Sequence, residues 1–491
     1  MTPARSYPSQ GAWSPCEAIG LAATLGVALY TSGVFALYLC GLSGGDAAFL
    51  ALPPALCVLL LGGRALRTAR RGEAAPDGGG PRAAIVAGSL VMVAQVAFAA
   101  YGAVRAPFGS WDAWSFWALK ARMFAAGGPL PGYFHDPVTV YTHPDYPLNL
   151  PLAEAAFLRV PGPIGVVTAG LVGVALFAGL LLLFYHGLRR LYGRVTAALG
   201  TAILALVPAL PLQAAGGDAD APVAAYAGAA ALYLLLWWRK RRVADALLAG
   251  LLAGGAAWTK REGLPIAVLV LLALTAGEAV ARDRPARGRI GAVAGATLAG
   301  ALVSAPWLTF VAWAHPIGTD FLPLTPAVLL SNAGRAPHIT LRFLLETCVI
   351  GNWSLLWVLL AAILVMAALS RRLSAQACGL LLLLAAQFGV YASVYLFSGW
   401  ASYTLHIQAS IDRLYAQAVP LAVLALVEAT QGLPFRGRFF TKEGGAEGTA
   451  LRDTPRAEGW VASLPTPPHK SPTPVRQGLR GRALEIHEPT V

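Results

Sequence analysis

This sequence points to an all-helical integral membrane protein on three grounds. The chain is 57% hydrophobic and only 12% charged, long apolar runs recur from end to end, and the loops between them alternate in basic content. An ordinary soluble domain carries roughly 25% charged residues, so lipid is the main solvent for this surface.

A helix needs about 17 to 25 apolar residues to cross a hydrocarbon core of roughly 30 Å, and about twelve runs of that kind are read here. They lie near 17 to 41, 46 to 63, 83 to 104, 164 to 186, 195 to 213, 219 to 238, 244 to 258, 263 to 280, 290 to 313, 347 to 369, 375 to 397 and 414 to 431. The run at 244 is short, and the run at 46 contains Pro53 and Pro54. The first run is too long for a signal-peptide core and no cleavage site follows it, so it reads as an uncleaved span.

A net charge of +13 raises nucleic acid as a partner, but the cations are spread over short loops rather than gathered on a solvated domain, which argues for no nucleic acid. Arg64, Arg67, Arg70, Arg71 and Arg82, then Arg189, Arg190 and Arg194, then the run from Arg239 to Arg242 fall in alternate loops. Arg282, Arg284, Arg287 and Arg289, and finally Arg371 and Arg372, continue the set. Basic loops stay cytoplasmic, which places both termini inside and the remaining loops outside a multi-pass plasma (inner) membrane protein.

Three regions follow. Residues 1–82 hold two spans and a basic loop, residues 83–431 form the main membrane domain, and residues 432–491 are poor in aliphatics and read as a disordered, basic cytoplasmic tail. The large outward loop at 105–163 is rich in Trp, Tyr, Pro and Gly, and loops of that length usually carry function. Its first part, WDAWSFWALKARMFAAGG, has the spacing of an interfacial helix with Lys120 near one end; its second part, YTHPDYPLNLPL, reads as extended or turning. Further outward loops lie at 314–346 and 398–413. Cys40, Cys57 and Cys378 fall within spans, and the cysteines show neither a disulfide framework nor a metal spacing. No cytoplasmic loop is long enough for a nucleotide-binding domain, which argues against an ATP-driven pump.

The acids carry the functional signal. Asp112, Asp136, Asp145, Glu154, Asp218, Asp220, Glu262, Asp320, Glu346 and Asp412 all belong to outward loops or outer helix ends. Acids weigh little in setting topology, so this gathering suggests a polar site on the outer face. Asp112, between Trp111 and Trp114, reads either as a loop carboxylate among anchoring tryptophans or as a general base whose pKa is raised by the flanking rings. His143 and Asp145 in HPDYP read as a Pro-rich turn, or as an oriented imidazole or metal pair that needs a third ligand. Asp218 and Asp220 in GGDADAP suit a helix N-terminus. Lys260, Arg261 and Glu262 in WTKREGLP break the rule the other cations obey. Burying such charges costs about 2.5 to 3.5 kcal/mol each, so they need partners or an anionic ligand. His406, Asp412 and Arg413 precede the last span and read as a polar lid, with Arg413 free to fork onto a phosphate or to snorkel.

Taken together and in order, WDAWSFWALKAR, HPDYPLNLPL, DADAPVAAYAG, WTKREGLP and HIQASIDRLYAQAVPL resemble the bacterial glycosyltransferases of the C superfamily (GT-C), relatives of the protein mannosyltransferases and the lipid A aminoarabinose transferases. The resemblance covers residues from about 83 to 431. It implies a multispanning helical fold whose first large outer loop carries interfacial helices and a catalytic aspartate, the position of Asp112. It also implies a polyprenyl-phosphate sugar donor and a glycan, lipid or protein acceptor outside the cytoplasm. Lys260, Arg261 and Arg413 would hold the lipid phosphate. The mannosyltransferase pattern has an Asp-Glu pair where this chain has Asp112 and Ala113. The implied chemistry is an inverting transfer with Asp112 as base and Asp145 or Asp218 positioning the acceptor. No cofactor is fixed, and a divalent metal remains an open assistant.

Other classes compete. A transporter or flippase of lipid-linked saccharides predicts ionisable residues near the midplane of the bundle, where few fall. A ligase or polymerase of lipid-linked glycans shares the site logic, and an envelope scaffold would make Asp112 dispensable.

Overall fold

A computed structural model of the chain describes residues 15–69, 80–129, 132–280, 286–318 and 320–433, all within one compact unit. The tail from residue 434 on lies outside the described residues, as do Arg70, Arg71, Arg282 and Arg284 and the side chains of Cys57, Arg67 and Arg287.

The described chain is helical, with a lone antiparallel bridge between Phe321 and Ser398. Helix α1 is Pro15–Leu39, with a π turn at Ala22–Gly26; α2 is Gly44–Ala69, which contains Pro53 and Pro54; α3 is Arg82–Arg105. A π turn at Ala113–Trp117 leads into α4, Ala118–Ala125, and α5 is Asn149–Leu158. Then come α6 at Pro163–Tyr192, α7 at Arg194–Ala205 and α8 at Ala209–Gly216, the last two bent by 60° at Pro208. Proline at that break removes a ladder donor and clashes with the preceding turn, which is why the apolar run near 195 to 213 is not one straight helix.

The second half contains α9 at Asp220–Lys240, α10 at Val243–Ala257, α11 at Gly263–Val280 and α12 at Ala286–Ala314. It continues with α13 at Pro326–Asn332, α14 at Ala336–Glu346, α15 at Leu356–Leu369, α16 at Ala375–Leu396 and α17 at Tyr403–Thr430. Among the described residues eight helices are long and apolar enough to cross a membrane, or nine if α7 and α8 make one bent span. Helices α10 and α15 are apolar but shorter, at 15 and 14 residues.

Helices α9 and α17 form the centre. Their apolar windows are 94% and 89% buried, against 11% for α3 and 33% for α11, α12 and α16. A helix apolar on every side belongs in such a position. Close approach comes from small residues: an added Cβ on Gly250 or Gly254 of α10 would stand 2.0 Å and 2.3 Å from the Ala296 and Gly300 carbonyl oxygens of α12.

Two polar ends result. Asp220 opens α9 at one end and Lys240 closes it at the other. At the Lys240 end, Arg190 forks onto Asp245 at 3.0 and 3.1 Å, His186 Nε2 stands 2.9 Å from Glu17, Tyr233 donates to Glu17 at 2.7 Å, and Arg239 pairs with Glu428. At the Asp220 end a polar knot ties three distant segments. Asn149 opens α5, and its side chain bonds Thr31 of α1 at 2.6 Å and Thr259 at 2.9 Å. Trp258 Nε1 also donates to the Thr31 hydroxyl at 2.9 Å. The knot fixes the turn that carries Lys260.

Candidate functional site

The chemistry-bearing motifs meet at the Asp220 end around one cavity of about 440 Å³. Asp112, Trp111, His143, Asp218, Lys260, Glu262, His406, Asp412 and Arg413 line it; Trp114, Lys120, Asp145, Asp220 and Arg261 do not.

Helix α17 explains one part of the wall. The segment read as a lid before the last span is instead the opening of α17, which begins at Tyr403. His406, Ser410, Arg413 and Gln417 are spaced by four, three and four residues, so they share one face of that helix. Arg413 pairs with Asp112 across the cavity. Asp112 is therefore met by a guanidinium rather than enclosed by its neighbouring rings. Trp111 and Trp114 are 64% and 51% exposed and pack edge to face on each other, with centroids 4.6 Å apart.

The α10–α11 turn supplies the second cation. Lys260 is buried and donates to Asp220 at 2.8 Å, with Glu262 at 3.4 Å. Burial works to lower the Lys260 pKa, but Asp220 and Glu262 outweigh it and hold the ammonium above its usual value. Behind this pair, Gln417 donates to Asp220 at 2.6 Å and accepts from Tyr391 at 3.1 Å, and Tyr391 accepts from Gln387 at 2.6 Å. A buried hydrogen-bonded chain thus fixes Asp220 from the core side.

Asp218 lies just before α9. It accepts from the Ser110 hydroxyl at 2.5 Å, while Ser110 in turn accepts from the Ala113 N–H at 3.0 Å. Burial pushes Asp218 up to about 6, with the Ser110 bond offsetting part of the rise. Glu154 of α5 is buried, and burial followed by repulsion from Asp218 raises its carboxyl well above its usual range.

The Pro-rich segment forms the third wall. His143 has a left-handed backbone, φ +51°, and its Nδ1 stands 2.9 Å from Asp320, which also accepts from Trp400 at 3.2 Å. Burial opposes ionisation of Asp320, but the His143 and Trp400 bonds outweigh it and hold the carboxyl below its usual range. Asp145, which the spacing pairs with His143, turns away to Arg261. Burial raises Asp145 nevertheless, against the pull of Arg261 and Lys120. Arg261 lies over Phe321 at 4.8 Å and does not face the cavity beside Lys260. Lys120 is fully buried, donates to the His143 carbonyl at 2.6 Å and sits 5.2 Å from the Trp117 ring. Burial lowers its pKa to about 7, with Asp145 opposing, so it braces the loop instead of anchoring it at an interface.

Among the described residues no group of three or more His, Cys, Asp and Glu is arranged to hold a metal ion. Arg413 Nε and Glu262 Oε2 are buried and find no hydrogen-bond partner among the described residues. Spacing alone did not single out Ser110, Asp320, Trp400 or Gln417. For Asp320, membership in the outward acids was the available signal; Gln417, inside an apolar run, gave the weaker cue of a buried amide.

Comparison of the chain with protein-family models, with curated proteins and with solved structures finds no match.

Proposed function

We propose that the protein is a membrane glycosyltransferase of the C-superfamily type, moving a sugar from a polyprenyl-phosphate carrier to an acceptor hydroxyl outside the cytoplasm. On this reading the chain crosses the membrane about twelve times, both termini are cytoplasmic, and the cavity opens on the extracytoplasmic side of the plasma membrane. The observation that carries the reading is the meeting of Asp112, Asp218, Lys260 and Arg413, from four separate segments, around one polar cavity beside the apolar bundle.

In the step proposed, the acceptor oxygen attacks the anomeric carbon from the face opposite the phosphate. The new glycosidic bond forms as the sugar-to-phosphate bond breaks, and the polyprenyl phosphate leaves with the bonding electrons. Asp112 takes the acceptor proton. Phosphate is already a good leaving group, so its charge needs stabilising more than it needs a general acid. Arg413 and Lys260 supply that charge. Both hold carboxylates in the structure, so the donor phosphate exchanges with Asp112 for Arg413, which frees the Asp112 carboxylate as base at the moment the donor is bound. Asp218 positions the acceptor. Arg261 keeps Asp145 and the loop in place rather than holding phosphate.

The test is transfer from a radiolabelled polyprenyl-phosphate sugar by the full-length protein in liposomes, with mass spectrometry of the copurified lipid to choose the donor. An Asp112→Asn protein that turns over at the wild-type rate overturns Asp112 as base. A protein that moves the intact lipid-linked sugar across the bilayer without cleaving it is a flippase instead.

A further inference from the structure

The opposite end of the bundle carries a second, unrelated cavity. Helices α11 and α16 leave a groove of about 530 Å³ between them, beside Trp238 and Arg241. Leu272 and Ala276 of α11 face Leu382 and Ala386 of α16, each pair at helical spacing. The floor is Trp238, just inside the end of α9. Two glycines keep that floor low: an added Cβ on Gly277 would stand 2.5 Å from Trp238 Nε1, and one on Gly379 would stand 2.9 Å from its ring.

Length, stop and charge define the occupant. The groove runs from Val280 to Leu269 on one wall and from Ala375 to Ala386 on the other. At about 1.5 Å per residue that is roughly 16 Å, half of a hydrocarbon core of roughly 30 Å and thus the depth of one leaflet. Beyond Leu269 and Leu383 the space shrinks to about 10 Å³ beside Gln387 and Gln417, members of the buried chain that ends on Asp220. An apolar tail has no gain in passing that polar plug. At the open end Arg241 stands in the groove wall, bonded to Glu278 at 2.5 Å, within the run Arg239, Lys240, Arg241 and Arg242, of which Arg239 pairs with Glu428. A basic cluster beside an apolar slot of one-leaflet depth matches an anionic lipid head above a single acyl chain.

We propose that this groove binds one acyl chain of an anionic glycerophospholipid whose phosphate rests at the Arg239–Arg242 run. A polyprenyl chain is several times longer than the groove, so the site is distinct from that of the sugar donor, and the proposal stands without the transfer reading.

The experiment is native mass spectrometry of the full-length protein in detergent, titrated separately with dioleoyl phosphatidylglycerol, dioleoyl phosphatidylcholine and a long-chain polyprenyl phosphate. Wild type should keep one phosphatidylglycerol, about tenfold more tightly than phosphatidylcholine. Ala276→Phe fills the slot and should lose that molecule, while Val268→Phe, at an exposed position on α11, should keep it. Leu382→Trp, at a residue 72% exposed, fills the slot from the lipid side and serves if Ala276→Phe does not fold. Retention by the filled variants, equal retention of phosphatidylcholine, or displacement of phosphatidylglycerol by the polyprenyl phosphate overturns the proposal. No sugar transfer is read, so failure here leaves the transfer reading untouched.

Discussion

Asp112 and Arg413 lie 301 residues apart in the chain and meet as an ion pair across the cavity. Their side chains are 22% and 24% exposed, so the pair is reachable by a ligand without being a surface bridge. Asp112→Asn should lower single-turnover transfer by about 10² to 10⁴, the usual scale of general-base help, with KM for the donor below wild type because the carboxylate that competes for Arg413 is gone. Arg413→Lys keeps the charge but loses the fork, and should raise KM for the lipid-linked donor. The two losses should add in a double-mutant cycle, since in the donor complex the carboxylate acts on the acceptor and the guanidinium on the phosphate.

The Asp218 carboxyl, at about 6, sets a pH window. Its folded value is above the usual 3.8, so its contribution to stability is full below pH 3.8 and is lost as pH rises through about 6. Thermal melts of wild type minus Asp218→Asn should show that difference. If the ionised carboxylate positions the acceptor, transfer rises through the same window. Ser110→Ala removes the bond that holds the pKa down, so the rising limb of the pH–rate profile should move to higher pH.

Lys260 and Asp220 are both buried. Removing one member of such a pair typically costs about 3 to 5 kcal/mol, because the other is left charged and unpaired. Lys260→Met should therefore lower the melting temperature in detergent sharply. Lys260→Met with Asp220→Asn should recover most of it while remaining inactive, which separates folding from phosphate binding.

Gly263 opens α11 against the end of α10. An added Cβ there would stand 1.8 Å from the Ala256 carbonyl oxygen, a backbone atom that cannot swing aside. Gly263→Ala should destabilise by more than the about 1 to 3 kcal/mol of ordinary overpacking. Gly291→Ala, with nothing within 4 Å, should be neutral or mildly stabilising. Equal melting temperatures for the two would refute the close approach.

What could be read from the sequence was what local spacing encodes. The long apolar helices follow from run length, and the motifs lining the cavity were visible as polar interruptions. The start of α5 reads as extended because Pro147 and Pro151 flank it, although proline is tolerated in a first turn where N–H groups have no helical partner. The apolar run near 414 to 431 marks only the later part of α17, because its first turns are polar on the side that faces the cavity. Pairing partners were not legible: nothing local assigns His143 to Asp320 instead of Asp145, or turns Arg261 away from Lys260. Those choices depend on which segments the bundle brings together.

The Asn149–Thr31–Trp258 knot has a temporal side. Thr31 belongs to α1, and Trp258 emerges 227 residues later. At roughly 5 to 20 residues per second, that is a wait on the order of 10 to 45 s during synthesis. The hydroxyl need not stay bare meanwhile, since the Val27 carbonyl of its own helix, 2.9 Å away, can accept its proton until Asn149 does. Helix α1 can thus settle in lipid early and take up its long-range partner only when the ribosome has delivered it.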